Sequence, residues 1–315
     1  MGIIKSKALS RSDFITKGTA ALRRVMRWDG GGQTTGRLPV NFRELDASPV
    51  AIARDVEYAV NIGEGYLGFI RDLGVDISGK SVLELGPGIN YGSMLLLACH
   101  SARPTVSDRF LSPWRDDYHG RFYTALRQWL TEHRPRLDTS PVAAVLAARG
   151  YPRGVISEVA YSAEYLKGVQ GKSMDIVVSN AVLEHVMSPP DVARELFRIA
   201  RRGGYSIHQV DFRDHRDFSR PLEYLLLPEG AFETMFADRH GECGRQMRHI
   251  EMQRCFEQAG FRVLSFEANW IAEDSYLDEF IPRLRAADSS AYRAAPRETL
   301  RIISGRFALR RPEDS

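Results

Sequence analysis

The sequence predicts an α/β fold, a mainly parallel sheet with helices on both faces. Two observations lead there. Short apolar runs alternate with amphipathic runs at helical spacing through most of the chain, the pattern of repeated strand–helix units. The first such unit also has a distinctive turn: Ser81-Val82-Leu83-Glu84-Leu85-Gly86-Pro87-Gly88 leads directly into Ile89-Asn90-Tyr91-Gly92-Ser93-Met94-Leu95-Leu96-Leu97. An apolar strand, a glycine turn and an apolar helix in that order form a common cradle for nucleoside-bearing cofactors.

Taken in order, residues 49–73 read as a helix, because Ile52, Val56, Val60, Leu67 and Ile70 recur near helical spacing. Gly63, Gly65 and Gly68 weaken that helix or mark a bend. Residues 81–85 are the first strand and 91–100 its helix. Further strands are expected at 104–108, 154–159, 174–179 and 204–211. Residues 189–200 form a clear helix, with Val192, Leu196, Phe197 and Ala200 on one face and Gly203-Gly204 after its end. Residues 247–259 are another amphipathic helix, and 261–266 and 300–309 are the closing strands. Residues 110–153 and 212–246 read as two long irregular insertions, expected to act as lids at the carboxyl ends of the strands. The expected organisation is a basic arm with a glycine-rich linker (1–48), one domain (49–310) and a polar tail (311–315).

Composition sets bounds on function. The 315 residues are 43% hydrophobic and 26% charged, with a net charge of +3, which argues against a nucleic-acid partner. No apolar run approaches the ~20 residues of a membrane span, and charges interrupt the first 26 residues where a signal peptide would need an apolar centre. Three scattered cysteines, Cys99, Cys243 and Cys255, predict reduced thiols in a cytoplasmic protein. Residues 1–28 carry Lys5, Lys7, Arg11, Lys17, Arg23, Arg24 and Arg27 against Asp13. This arm is either a solvated surface or a peripheral contact with an anionic membrane or acidic partner. Met1-Gly2-Ile3-Ile4-Lys5-Ser6 also fits an N-myristoylation pattern.

Glu84 bears on the ligand. A carboxylate at the turn repels a phosphate and attracts the cationic methionine end of S-adenosylmethionine. Gly86 and Gly88 let main chain approach the ligand. Asp108 ends the second strand, 24 positions after residue 84, where an acidic residue holds ribose hydroxyls in dinucleotide-binding folds.

Together with Ser173-Met174-Asp175-Ile176-Val177-Val178-Ser179-Asn180-Ala181-Val182-Leu183-Glu184-His185-Val186 and Ala200-Arg201-Arg202-Gly203-Gly204, these pieces resemble the class I S-adenosylmethionine-dependent methyltransferases over roughly residues 50–310. The resemblance implies a Rossmann-like, seven-stranded, mostly parallel sheet whose last strand is antiparallel. It implies that Glu84, Gly86 and Gly88 hold the methionine moiety, Asp108 the ribose, and Ser162 and Ala163 the adenine, with Asn180 beside the sulfonium. Many relatives have an aspartate where Ser162 stands. The pair Glu184-His185 is also similar to the end of a Glu-x-x-Glu-His sequence that binds a divalent metal in some methyltransferases. Ala181 replaces the first glutamate, so no metal is expected; one would need a further ligand from His208, Asp211 or His215.

On the acceptor side, His185 follows the fourth strand, and His208-Gln209-Val210-Asp211-Phe212-Arg213-Asp214-His215 ends the fifth. His208 or His215 is expected to act as a base, oriented by Asp211 or Asp214; the alternative is a buried network that pins the loop. The last stretch resembles a bacterial subgroup associated with glycans or secondary metabolites. Tyr58, Tyr66, Trp114, Tyr118, Phe122, Tyr123 and Trp129 either stack on an acceptor or pack a helical subdomain, and the spacing of Phe122, Leu126 and Trp129 favours packing. The expected activity is O-methylation of a small molecule, sugar or glycan intermediate by direct displacement. Three alternatives remain at this point: a macromolecular acceptor, a nicotinamide-dependent oxidoreductase, and a non-catalytic scaffold.

Overall fold

The computed structural model describes residues 45–239 and 241–314. The expectations for the basic arm, the glycine-rich linker and the N-myristoylation pattern lie outside the described residues, except for the last few positions before residue 49. Among the described residues no helix is long and apolar enough to cross a membrane.

The first helix, α1 (Pro49–Asp72), begins with Ser48 accepting from the Ala51 N–H and with proline at its first position, a favourable start on both counts. It runs unbroken through its glycines. Gly63 serves packing: a β-carbon there would stand 2.8 Å from Leu96, so its absence lets α1 lie close against α2 (Gly92–Cys99), which is buried throughout.

Seven strands follow: β1 (Ser81–Leu85), β2 (Arg103–Ser107), β3 (Ser157–Val159), β4 (Met174–Asn180), β5 (Ala200–Asp211), β6 (Arg262–Ile271) and β7 (Ile302–Arg310). They form one sheet in the order β3-β2-β1-β4-β5-β7-β6. The five strands from β3 to β5 pair in parallel, and β7 runs antiparallel to both of its neighbours. Side chains alternate across the sheet. Val82, Ile176, Val178 and Ile207 face α1 and α2. Leu83, Leu85, Val177 and Val210 face the opposite layer, which contains Leu196 of α5 (Pro189–Ile199) and Phe256 of α7 (His249–Ala259). From β1 the chain moves outward to β2 and β3, then returns to β4 on the other side of β1. The carboxyl ends of β1 and β4 therefore flank a topological switch point, where open α/β sheets bind ligands.

The two insertions are not irregular: both fold as helices and turns. Residues 110–153 hold a short π-helical turn (Asp116–Gly120), α3 (Arg121–His133) and α4 (Ser140–Ala148). Phe122, Tyr123, Leu126 and Leu130 of α3 are buried in one cluster with Ile52, Val56 and Val60 of α1. Residues 212–246 hold a 3-10 turn (Glu223–Leu226) and α6 (Glu229–Asp238). That segment packs Tyr224, Phe232 and Phe236 against Leu277, Phe280 and Leu284 of α8 (Asp274–Ala286). Both segments had enough apolar residues to fold as helices, so neither needed to remain loop. A short α9 (Arg297–Arg301) precedes β7. Arg311 is buried rather than part of a polar tail, donating to the carbonyls of Phe197 and Ala200.

Candidate active site

The glycine turn after β1 is shaped at two positions. Gly86 has φ +63° and Gly88 φ +76°, the left-handed region that a β-carbon disfavours. Their surroundings differ. A β-carbon on Gly86 would come within 2.5 Å of a Val182 methyl group, whereas one on Gly88 would meet nothing within 4 Å. The β1 and β4 loops thus touch at Gly86, and Gly88 borders open space. The 110–153 insertion braces the same turn from behind: His119 Nε2 contacts the Ile89 carbonyl at 2.8 Å, Asn90 donates to the Tyr118 hydroxyl at 3.1 Å, and the Tyr91 N–H donates to the Tyr123 hydroxyl at 3.2 Å.

Glu84 is only 3% exposed. Tyr66 of α1 and Ser93 of α2 each donate a hydrogen bond to its carboxylate, both at 2.9 Å. Burial pushes its pKa up to about 7, against the lowering effect of those two bonds. Asp108 follows β2 and accepts the Phe110 N–H at 2.8 Å; burial raises it to about 6. Its own N–H donates to the Val159 carbonyl at 3.3 Å, while Ser107 Oγ donates to the Tyr161 carbonyl at 3.1 Å. These contacts bring Asp108 beside the loop carrying Ser162 and Ala163, both half-buried. Tyr91 donates to Glu158 at 2.8 Å in the same region.

Asn180 ends β4 and donates to the Tyr58 hydroxyl at 3.2 Å. Burial, and next the charge of Glu84, raise the Tyr58 pKa, and Glu184 adds to the effect. Tyr58 therefore stands between the glycine-turn carboxylate and a second polar cluster. That cluster begins in the 3-10 turn Leu183–His185. His185 Nδ1 contacts the Gly241 carbonyl at 2.8 Å, and its ring lies edge-on to His215, centroids 4.9 Å apart. Burial lowers His185 to about 4. His215 Nε2 stands 3.5 Å from Asp211 Oδ2, long for a hydrogen bond. Arg213 forks onto Asp211, with Nε donating at 2.8 Å and an Nη at 2.5 Å. Burial alone would raise Asp211, yet hydrogen bonds from Arg213 hold it below the usual carboxylate range. The Arg213 guanidinium lies 4.1 Å from the ring centroids of both Phe218 and Trp270, an aromatic slot that favours the planar cation.

His208 does not join this cluster. It points into the layer of α7, stacked on Phe256 with centroids 5.7 Å apart, and is 0% exposed. Its Nδ1 is bound to Ser179 Oγ at 2.8 Å, and burial lowers its pKa to about 3. A ring enclosed on that face cannot reach an acceptor, so the expected base role of His208 is corrected: the strand's alternation turned it into the core. Asp214 likewise turns away from the histidines, forking with Arg216 at 2.6–3.1 Å. Sequence reasoning missed the anchoring roles of Tyr58 and Tyr66; their separation of eight positions on a helix, which places both on one face, was the available signal.

A family model described as "Methyltransferase domain" matches residues 64–266, more than half of the chain. The chain belongs to the methyltransferase-domain family. The sequence resemblance to S-adenosylmethionine-dependent methyltransferases agrees with this family. No curated protein matches it. Among solved structures, a proposed sarcosine dimethylglycine methyltransferase from Galdieria sulphuraria is similar at 12% identity and TM-score 0.47, covering 82% of this chain and 88% of its own. An S-adenosylmethionine-dependent methyltransferase from Mesorhizobium loti is similar at 13% identity and TM-score 0.45, with 78% and 96% covered. Phosphoethanolamine N-methyltransferase 2 of Haemonchus contortus, solved with S-adenosylmethionine, reaches 13% identity and TM-score 0.43, with 79% and 52% covered. At such scores the family match alone decides the assignment.

Proposed function

We propose that this methyltransferase O-methylates a small hydroxylated acceptor, such as a sugar, a glycan intermediate or a secondary metabolite. The cofactor would lie across the carboxyl ends of β1 and β2, its methionine end by Glu84, Gly86 and Gly88, its ribose on Asp108 and its adenine by Ser162 and Ala163. Asn180 and Tyr58 would border the sulfonium. The acceptor oxygen attacks the methyl carbon as the carbon–sulfur bond breaks. The electron pair passes to sulfur, leaving S-adenosylhomocysteine, and the hydroxyl proton passes to an imidazole nitrogen of His185 or His215. Holding the two reactants in line supplies much of the rate gain, since the methyl group is already activated.

The observation that carries this reading is the pairing of His185 with His215 beside Asp211, on the loops following β4 and β5. An amine acceptor needs less help in losing its proton after transfer, whereas an alcohol gains from a nearby base. The domain spans residues 49–310 in this proposal, and the free, buried Cys99, Cys243 and Cys255 support a reducing, cytoplasmic setting. The test is transfer of a labelled methyl group to a panel of sugars, phenols and matched amines, with His185→Ala and His215→Ala alongside. Label on oxygen that falls at least about tenfold in either variant is the expected result. Label only on nitrogen or on macromolecules, or turnover unchanged in both variants, would overturn it.

A further inference from the structure

Glu184, His185 and His215 converge from two different loops, and one ligand-capable atom of each lies within 4.8 Å of the others. Three features of this triangle point to a positive ion.

The first is the condition of Glu184. It is 2% exposed, and no side chain bonds to either carboxylate oxygen; the main-chain N–H groups of Glu184 and Asp211 lie near it without good hydrogen-bond geometry. A buried polar group in that state is costly, and a charged one more so. The second is the orientation of His185. Its Nδ1 is engaged with the Gly241 carbonyl at 2.8 Å, so that nitrogen carries the hydrogen and Nε2 keeps its lone pair. A backbone carbonyl in this position is the usual outer contact that fixes a metal-ligating imidazole. The third is charge. The groups acting on Glu184 include Asp211, which repels its charge, and Arg213, which attracts it. Arg213 is already forked onto Asp211. From α1, Tyr58 faces the same carboxylate as an un-ionised hydroxyl. The one cation acting on Glu184 is thus shared with a second carboxylate.

We propose that Glu184, His185 and His215 form a binding site for one divalent cation of the zinc class, with Asp211 at its rim. Two imidazoles and one carboxylate match the donor set of zinc and its neighbours, whereas magnesium and calcium favour all-oxygen sites. The family resemblance seen in the sequence led away from a metal because Ala181 replaces a glutamate; His215, contributed from beyond β5, supplies the third ligand instead. In the cation-loaded chain the imidazoles serve as ligands, and their role as proton acceptors belongs to the cation-free chain.

The test uses the full, untagged chain, stripped with a chelator and titrated with Co²⁺ and with Zn²⁺. The expected result is one equivalent bound, with a visible cobalt band that reports nitrogen ligation. Zinc should displace the cobalt, and millimolar magnesium should not. His215→Ala and Glu184→Gln are each expected to weaken zinc binding by about 100-fold, while S-adenosylmethionine binding shows that the variants remain folded. If Glu184→Gln does not fold, the more accessible His215→Ala decides. No cobalt band, equal zinc affinity in His215→Ala, or displacement by magnesium would overturn the proposal. Cation binding is read directly, so a chain that binds zinc without methylating any hydroxyl would leave this site standing and remove only the acceptor proposed above.

Discussion

Gly86 and Gly88 share a backbone conformation but face different surroundings, and alanine at each should separate folding from ligand binding. Both substitutions put a β-carbon on a left-handed residue, at a cost of about 1 kcal/mol. Gly88→Ala incurs little more, since its new carbon meets nothing within 4 Å. Gly86→Ala adds an overlap at 2.5 Å with a Val182 methyl group, and overpacking of that kind costs about 1–3 kcal/mol. Gly86→Ala should therefore be destabilised by about 2–4 kcal/mol and Gly88→Ala by about 1 kcal/mol. Urea denaturation of the cofactor-free chain measures both. Val182→Ala combined with Gly86→Ala should recover part of the overlap, a coupling visible in a double-mutant cycle. For Gly88→Ala the main loss should be in S-adenosylmethionine affinity, because its β-carbon would project into the open space where the cofactor is proposed to lie. Equal stability of the two variants, or no coupling between positions 86 and 182, would refute the reasoning.

Four other outcomes are expected. Glu84 and Asp108 have folded-state pKa values raised to about 7 and about 6 from 4.5 and 3.8. The stability each contributes is thus present at low pH and fades as pH rises through those values; urea melts of the cofactor-free chain should show the decline, and Glu84→Gln should flatten it. Because Glu84 is part-protonated near pH 7, binding the cofactor's ammonium group should release a fraction of a proton, seen as a dependence of calorimetric enthalpy on buffer ionisation heat. His208→Ala should lower stability by about 2–4 kcal/mol while the remaining folded protein keeps its turnover, and His215→Ala should do the reverse. Arg213→Lys, which loses the fork onto Asp211, should cost about 2 kcal/mol in thermal or urea unfolding, and an unchanged midpoint would rule out a structural role for the fork.

The central strands were readable because burial on both faces leaves an unbroken apolar run: 81–85 and 174–179 agree with β1 and β4 to within a residue. β3 was read too long because it is an edge strand of three residues preceded by the turn at Pro152. The segment 272–299 held a helix that was not read, although Leu277, Phe280 and Leu284 have helical spacing; Pro282 inside α8 disguises it. The glycine turn declared itself in local sequence, since positive φ needs glycine. The arrangement of the cluster proposed for the acceptor did not, because His185, Asp211 and His215 are brought together by the β4–β5 pairing and the return of Gly241. Face assignment was the decisive gap: His208 and His215 look alike in sequence, and only the register of Ser179 against His208 shows which is core.

The central claim, an S-adenosylmethionine site at the carboxyl ends of β1 and β2, is tested most directly by calorimetric titration of the folded chain with that cofactor. One saturable site is predicted, weakened at least about tenfold in Asp108→Ala and retained in His215→Ala. No saturable binding, or equal affinity in Asp108→Ala, would contradict it.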